Sequence, residues 1–159
     1  MTKALYAGTF DPPTYGHLDL VERGVRLFDE LVVAVGENSR KQPLLTVDER
    51  VALLTEHTKQ HANVSVVTFK GLIVEFAHAH GVDVLLRGLR TVSDFEFEYQ
   101  MAMTNRALEP DIDTAFVMPS QEFSFLSSSL IKEVMMNGGD ASRWLPADVA
   151  ALVRSKLDA

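Results

Sequence analysis

Five short apolar runs punctuate this chain, and each is followed by a segment that reads as a loop and then a helix. The runs are Lys3 to Ala7, Glu30 to Val35, Asn63 to Phe69, Asp83 to Leu86 and Asp113 to Met118. Largely apolar stretches of this length are expected of strands in a parallel sheet, where both faces are covered. Helical spacing predicts helices over Gly16 to Phe28, Val47 to Gln60, Leu72 to His80, Ser93 to Leu108, Ser128 to Asn137 and Ala147 to Leu157. Thr46-Val47-Asp48-Glu49 spells a capping box at the start of the second. Gly81 and Asn137-Gly138-Gly139 stop their helices, and Pro146 suits the first turn of the last. Strand–helix alternation predicts an α/β fold, a Rossmann-like doubly wound sheet of five parallel strands with helices on both faces.

The 159 residues contain no low-complexity linker and no repeat, so a single domain over 1–159 is expected, its last helix closing the core or a subunit contact. A net charge of −7 argues against a general nucleic-acid or anionic-membrane binder. With no cysteine, disulfides and thiolate metal sites are excluded. Met1 to Ala4 leads straight into a strand without the apolar run of a secretory signal, and no stretch is apolar enough to span a bilayer. A cytoplasmic location is expected.

Ligands of open parallel sheets bind beyond the carboxyl ends of the strands. The first strand is followed by Gly8-Thr9-Phe10-Asp11-Pro12-Pro13-Thr14-Tyr15-Gly16-His17, a turn that places His17 in the first turn of a helix. Unpaired N–H groups and the helix dipole favour an anion there. The loop after the second strand carries Arg40 and Lys41, and the fourth strand runs into Arg87-Gly88-Leu89-Arg90. The fifth runs into Phe123-Ser124-Phe125-Leu126-Ser127-Ser128-Ser129. Lys41, Arg87 and Arg90 are thus expected at one edge of an acidic protein, beside hydroxyls and a helix N-terminus. Such a composition suits a triphosphate and a second phosphorylated molecule.

Each feature has a plainer reading. A lone Thr-x-Gly-His is a weak signal, a loop lysine is normally solvated, and three serines before a helix make a cap. The histidines at 57, 61, 78 and 80 lie in or beside helices, and His78-Ala79-His80 does not put two ligands on one face, so no metal site is expected there. Phe95 and Tyr99 read as core residues of an amphipathic helix, and Glu98 by itself as a solvated one. Trp144 reads as closing the core or an oligomer contact, and Met101, Met103, Met135 and Met136 as packing or subunit contacts.

Three motifs in order carry a resemblance along the whole chain. They are Gly-Thr-Phe-Asp-Pro-x-Thr-x-Gly-His, then Arg87-Gly88-Leu89-Arg90-x-x-x-Asp94-Phe95-Glu96-x-Glu98, then Phe125-x-Ser127-Ser128-Ser129-x-x-Lys132-Glu133. With them the chain resembles the bacterial phosphopantetheine adenylyltransferase family, nucleotidyltransferases with a Thr/His-x-Gly-His motif. The resemblance implies adenylyl transfer from ATP to 4'-phosphopantetheine, giving dephospho-coenzyme A and pyrophosphate. It implies catalytic roles for His17, Thr9, Lys41 and Arg90. It places ATP on Thr9, Phe10, His17, Gly88, Leu89, Arg90, Glu98 and the segment Phe123, Ser124, Phe125, Leu126, Ser127, Ser128 and Ser129. The acceptor falls to Thr9, Lys41, Ile73 and Arg87. Mg2+ would accompany ATP, dephospho-coenzyme A and coenzyme A are candidate ligands of the product site, and a homohexamer, a dimer of trimers, is implied. Departures are few: Pro13 and Tyr15 fill variable slots, Gln42 stands where a second lysine is common, Phe97 where a tyrosine is, and Phe123 where a tryptophan often is. Alternatives are a related enzyme, such as a nicotinate mononucleotide adenylyltransferase or a cytidylyltransferase, and a non-catalytic nucleotide-binding module.

A phosphate nucleophile is already anionic near neutral pH, so no general base is needed. Catalysis must then hold two repelling anions in line and offset the charge that develops on the α-phosphoryl oxygens.

Overall fold

The structure, a computed structural model, describes residues 1–37 and 42–159. Five strands run β1 (Lys3–Gly8), β2 (Glu30–Gly36), β3 (Val64–Phe69), β4 (Val84–Gly88) and β5 (Asp113–Val117). Six α-helices lie among and after them: α1 (Tyr15–Leu27), α2 (Val47–Thr58), α3 (Ile73–Ala79), α4 (Val92–Leu108), α5 (Ser128–Met136) and α6 (Ala147–Leu157). A 3-10 turn at Gln121–Phe123 among the described residues is not predicted by the sequence. All strand pairs are parallel, in the order β3-β2-β1-β4-β5. The order turns back between β1 and β4, which is where a doubly wound sheet opens its crevice.

Alternation along the central strands assigns the two faces. Ala4, Tyr6, Leu31, Val33 and Leu86 pack with Leu20 and Val21 of α1 and Leu54 of α2. Their neighbours Leu5, Ala7, Val32, Ala34 and Leu85 pack on the opposite side with Val74 and Ala77 of α3. A third cluster joins Leu53 of α2 to Ile131 and Met135 of α5 and to Val149 and Val153 of α6. Trp144, just before α6, lies partly buried against that cluster.

One strand boundary and one helix orientation bear on function. Arg87 and Gly88 are the last residues of β4, paired with Phe116 and Val117, instead of the loop that follows it. The side chain of Arg87 is therefore held by sheet register, on the face of Leu85. Phe95 and Tyr99, expected in the core, are about half exposed on α4, whereas Glu98 is buried. The helix has turned its polar face inward, for a reason that lies in the site it borders.

α1, the helix that carries His17, approaches the sheet closely through Gly24. A Cβ there would sit 2.9 Å from side-chain carbons of both Leu31 and Leu86. Gly24→Val is expected to lose about 1–3 kcal/mol, the usual cost of overpacking. Urea unfolding measures it, and a variant as stable as the parent would show that α1 can back away freely.

Candidate active site

Thr14 and His17 make α1 begin where it does. The Thr14 hydroxyl accepts from the His17 amide at 3.3 Å, and Nδ1 of His17 accepts from the Thr14 amide at 3.0 Å. The pair forms a capping box in which an imidazole replaces the usual Glu or Gln. An amide N–H can only donate, so Nδ1 must be unprotonated and the single ring proton lies on Nε2. Burial pushes the His17 pKa down to about 4, and the Arg90 and Arg87 charges push the same way. The ring is thus neutral at pH 7, with a donor on the nitrogen that the cap leaves unused. Phe10 packs against the ring in a T-shaped arrangement, at 5.0 Å between centroids. Phe10 is buried and takes a left-handed φ of 52°, a conformation that costs a non-glycine residue about 1–2 kcal/mol.

Two cavities open along this rim. The smaller, about 230 Å³, is lined by Phe10, His17, Gly88, Arg90, Phe123 and Ser128, among others. The larger, about 750 Å³, runs between α3 and α4 and is lined by Thr9, Ile73, Leu85, Met101 and Asn105. Ala7, Gly8, Arg87 and Glu98 line both. Close approach is needed at this junction: a Cβ on Gly88 would fall 2.6 Å from Cδ1 of Leu20.

Arg87 stands at the junction with its guanidinium already engaged. Nε and Nη2 donate to the two oxygens of Glu98 at 2.9 and 2.6 Å, and Nη1 donates to the Ala7 carbonyl at 2.9 Å. Burial alone would lower the Arg87 pKa, but the Glu98 carboxylate more than offsets this and leaves it raised. Arg90 is paired as well, through Nε to Asp94 at 3.0 Å and through Nη1 to the Leu126 carbonyl. Each central cation therefore faces its own carboxylate.

The structure brings most of the expected site together. Thr9, Phe10, His17, Ile73, Arg87, Gly88, Arg90, Glu98, Phe123, Leu126, Ser127 and Ser128 all line one cavity or both. Leu89, Ser124, Phe125 and Ser129 line neither. Phe125 turns instead to the edge of Trp144, with centroids 5.8 Å apart, and Leu89 hydrogen-bonds back to Val117. Lys41 lies outside the described residues. Sequence reading missed Asn105, which is buried in the wall of the larger cleft seven residues from Glu98. No sequence signal marked it, because a polar residue on an otherwise amphipathic helix reads as solvated, and only the fold shows Glu98 and Asn105 to be the two buried positions of α4. It also missed the brace formed by Asp19, whose carboxylate holds the Ser120 amide and hydroxyl at 2.8 and 2.7 Å. Among the described residues, His57, His61 and His78 pair with Asp148, Glu22 and Glu109, and His80 stacks on Phe76.

A cytidylyltransferase-like family model matches residues 5–134, which include both cavities' central elements. A phosphopantetheine adenylyltransferase from Opitutus terrae is 51% identical over 98% of this chain and 97% of its own length. The chain belongs to this family. Among solved structures, a protein from Vibrio parahaemolyticus described as a nicotinate-nucleotide adenylyltransferase matches with a TM-score of 0.70 at 18% identity. That match covers 99% of this chain and 95% of the other. A lipopolysaccharide core biosynthesis protein from Thermoplasma volcanium matches with a TM-score of 0.55 at 23% identity, over 76% and 97%. At such identities these two establish the shared fold alone.

The His17 geometry yields a direct prediction. In the unfolded chain a histidine titrates near 6.5, and in the fold this one titrates near 4, so the unfolded state binds more protons between those values. The stabilisation is complete above pH 6.5 and is lost as pH falls through 4. Nitrogen NMR of the free protein should find Nδ1 unprotonated and Nε2 protonated, with a midpoint about 4. A midpoint near 6.5, or a proton on Nδ1, would overturn the assignment.

Proposed function

We propose that this protein transfers the adenylyl group of ATP to 4'-phosphopantetheine, forming dephospho-coenzyme A and pyrophosphate in coenzyme A biosynthesis. The observation that carries this reading is the junction of two cavities at Arg87, with a neutral imidazole lining one of them. The name of the relative that shares half of its residues supports the choice of acceptor. We take residues 1–159 to act as one nucleotidyltransferase domain. A cytoplasmic location suits such an enzyme, and no described helix is long and apolar enough to cross a membrane.

ATP would occupy the smaller cavity, with its phosphates over the N-terminus of α5, where the Ser127 hydroxyl already caps the Leu130 amide. The acceptor would extend into the larger cleft, its arm against Ile73 and Leu85 and its phosphate toward Thr9 and Arg87. An oxygen of that phosphate attacks the α-phosphorus as the bond to the bridging oxygen breaks, and the electron pair leaves on pyrophosphate. No proton need be removed from the nucleophile. His17 would donate its Nε2 proton in a hydrogen bond to the α-phosphoryl oxygen, and Lys41 and Arg90 would offset the gathered negative charge.

Magnesium prefers oxygen ligands and is commonly held by substrate phosphates with few protein groups. Among the described residues no three His, Cys, Asp or Glu side chains form a cage; the ion would be carried by the triphosphate. When bound, it would neutralise part of the phosphate charge.

The homohexamer also belongs to this reading. Phe95, Tyr99 and Met103, each four residues apart, leave an exposed apolar stripe along α4, and a second copy of the chain is the occupant proposed for it. Dephospho-coenzyme A would remain as product across both cavities, and coenzyme A would compete for the acceptor side.

Pyrophosphate release measured with phosphopantetheine, nicotinate mononucleotide and a cytidylyl pair tests the reaction. Turnover with only the second or third acceptor would replace it, and tight ATP binding without turnover would make the protein a binding module. His17→Ala should lower kcat by at least about 10²-fold, the scale of one lost transition-state donor, with a smaller change in KM. Arg87→Ala should chiefly raise KM for the acceptor; weakening of ATP alone would exchange the two anion sites. Light scattering should give six chains, and Phe95→Asp with Met103→Glu should reduce that mass; an unchanged assembly would take α4 out of the interface.

A further inference from the structure

Three charged side chains stand behind the rim, and none of them lines either cavity. Asp11 is 3% exposed and Arg50 1%. Oδ2 of Asp11 accepts from the Leu44 amide and from Nζ of Lys132, each at 2.9 Å, and Oδ1 accepts from the Leu45 amide at 2.8 Å. Arg50 donates to four carbonyls: Thr9 at 2.7 Å, Gly36 at 3.1 Å, Leu45 at 3.2 Å and Thr46 at 3.3 Å. The Ser128 hydroxyl closes the group by donating to the Pro12 carbonyl at 2.8 Å.

These bonds join four segments, several of them far apart in sequence. The turn after β1 is held to the end of β2 and the start of α2 through Arg50, and to α5 through Lys132 and Ser128. Stability alone is a weak reason for such an arrangement, because replacing a buried ion pair with apolar side chains is often neutral or better. What charged hydrogen bonds supply, and apolar contacts do not, is a fixed direction and spacing. The residues so fixed are the neighbours of Thr9 and Thr14, and Thr14 in turn sets the His17 ring.

We propose that Asp11, Arg50 and Lys132 are positioning residues that lock the turn after β1 against the N-terminus of α5, aligning Thr9 and His17 with the phosphates bound between them. The proposal rests on the adenylyl-transfer reading. It adds to it three residues that touch no substrate.

Lys132 is the member to remove first, because it is partly exposed and its loss leaves Asp11 two backbone donors. Lys132→Met is expected to lower kcat roughly 10-fold while changing either KM less than about 3-fold, the pattern of a misaligned but still occupied site. Lys132→Arg should recover most of the loss. Asp11→Asn turns an amide toward the donors it once accepted from and should cost roughly 10²-fold in kcat. The double variant Asp11→Asn with Lys132→Met should be no worse than Asp11→Asn, since both act through one contact. Circular dichroism melting places every assay well below unfolding, and if Asp11→Asn does not fold, the two Lys132 variants decide. A Lys132→Met protein with the parent kcat, or a loss that follows only its folded fraction, overturns the proposal, as does an additive double variant.

A second readout needs no turnover. Lys132→Met should shift the NMR signals of the His17 ring and leave those of His57 and His78 unmoved. Unmoved His17 signals overturn the positioning role whichever acceptor the enzyme uses. A parent protein inactive with phosphopantetheine overturns the reaction instead.

Discussion

The hydrogen bond from the Thr14 amide to Nδ1 of His17 serves the fold and the chemistry together. As the return half of a capping box it satisfies a backbone donor at the start of α1 and helps set the angle at which the chain leaves β1. Because the donor is an amide, the bond also leaves the ring one neutral tautomer, with its proton on Nε2. Burial and the two arginines then make protonation of Nδ1 costly, so the tautomer is kept down to about pH 4. A glutamate in the same cap would stabilise the helix equally well and offer phosphate only repulsion. The turn has little freedom to drift, with Phe10 buried in a left-handed conformation and Gly24 and Gly88 allowing α1 to lie directly on the sheet.

Charge at the rim follows the same economy of parts. On the proposed function, a protein with net charge −7 would have to hold two phosphorylated substrates without a large positive surface. It keeps its central guanidinium groups paired, Arg87 with Glu98 and Arg90 with Asp94. Paired, they are fixed in direction and only partly solvated, so little reorganisation remains to be done when phosphate arrives. The cost is competition, because phosphate oxygens must share donors with carboxylates. That competition disfavours weakly charged ligands more than polyphosphates, which is a form of selection.

Strand periodicity made the sheet legible, because buried parallel strands leave few choices of face: Leu5 and Tyr6 had to point opposite ways, and they do. The cap at Thr46 and the stops at Gly81 and Gly138 were legible for local reasons. Arg87 was placed one step too far along, since a charged residue at the end of an apolar run looks like a loop until its partner Glu98 is known. The same gap inverted α4, whose buried Glu98 and exposed Phe95 contradict any reading in which apolar means inside. Asp11 and Arg50 stayed invisible because their partners lie up to 121 positions away in sequence and are mostly backbone atoms, which no composition records.

The distribution of these features over the fold also suggests where specificity resides. The smaller cavity draws on the turn after β1, the end of β4 and the start of α5. The larger cleft draws on α3, α4 and the ends of β2 and β3. Structures that share this fold at 18% and 23% identity carry unlike descriptions, so the frame by itself does not fix function. Side chains such as Ile73, Met101 and Asn105 face only the larger cleft, and they can change without disturbing the cap at His17 or the Arg87–Glu98 pair. A sheet with its switch point between β1 and β4 thus separates two regions physically, a polar junction and a half-apolar cleft beside it; on the proposed function the first would govern how phosphorus is approached and the second what approaches it.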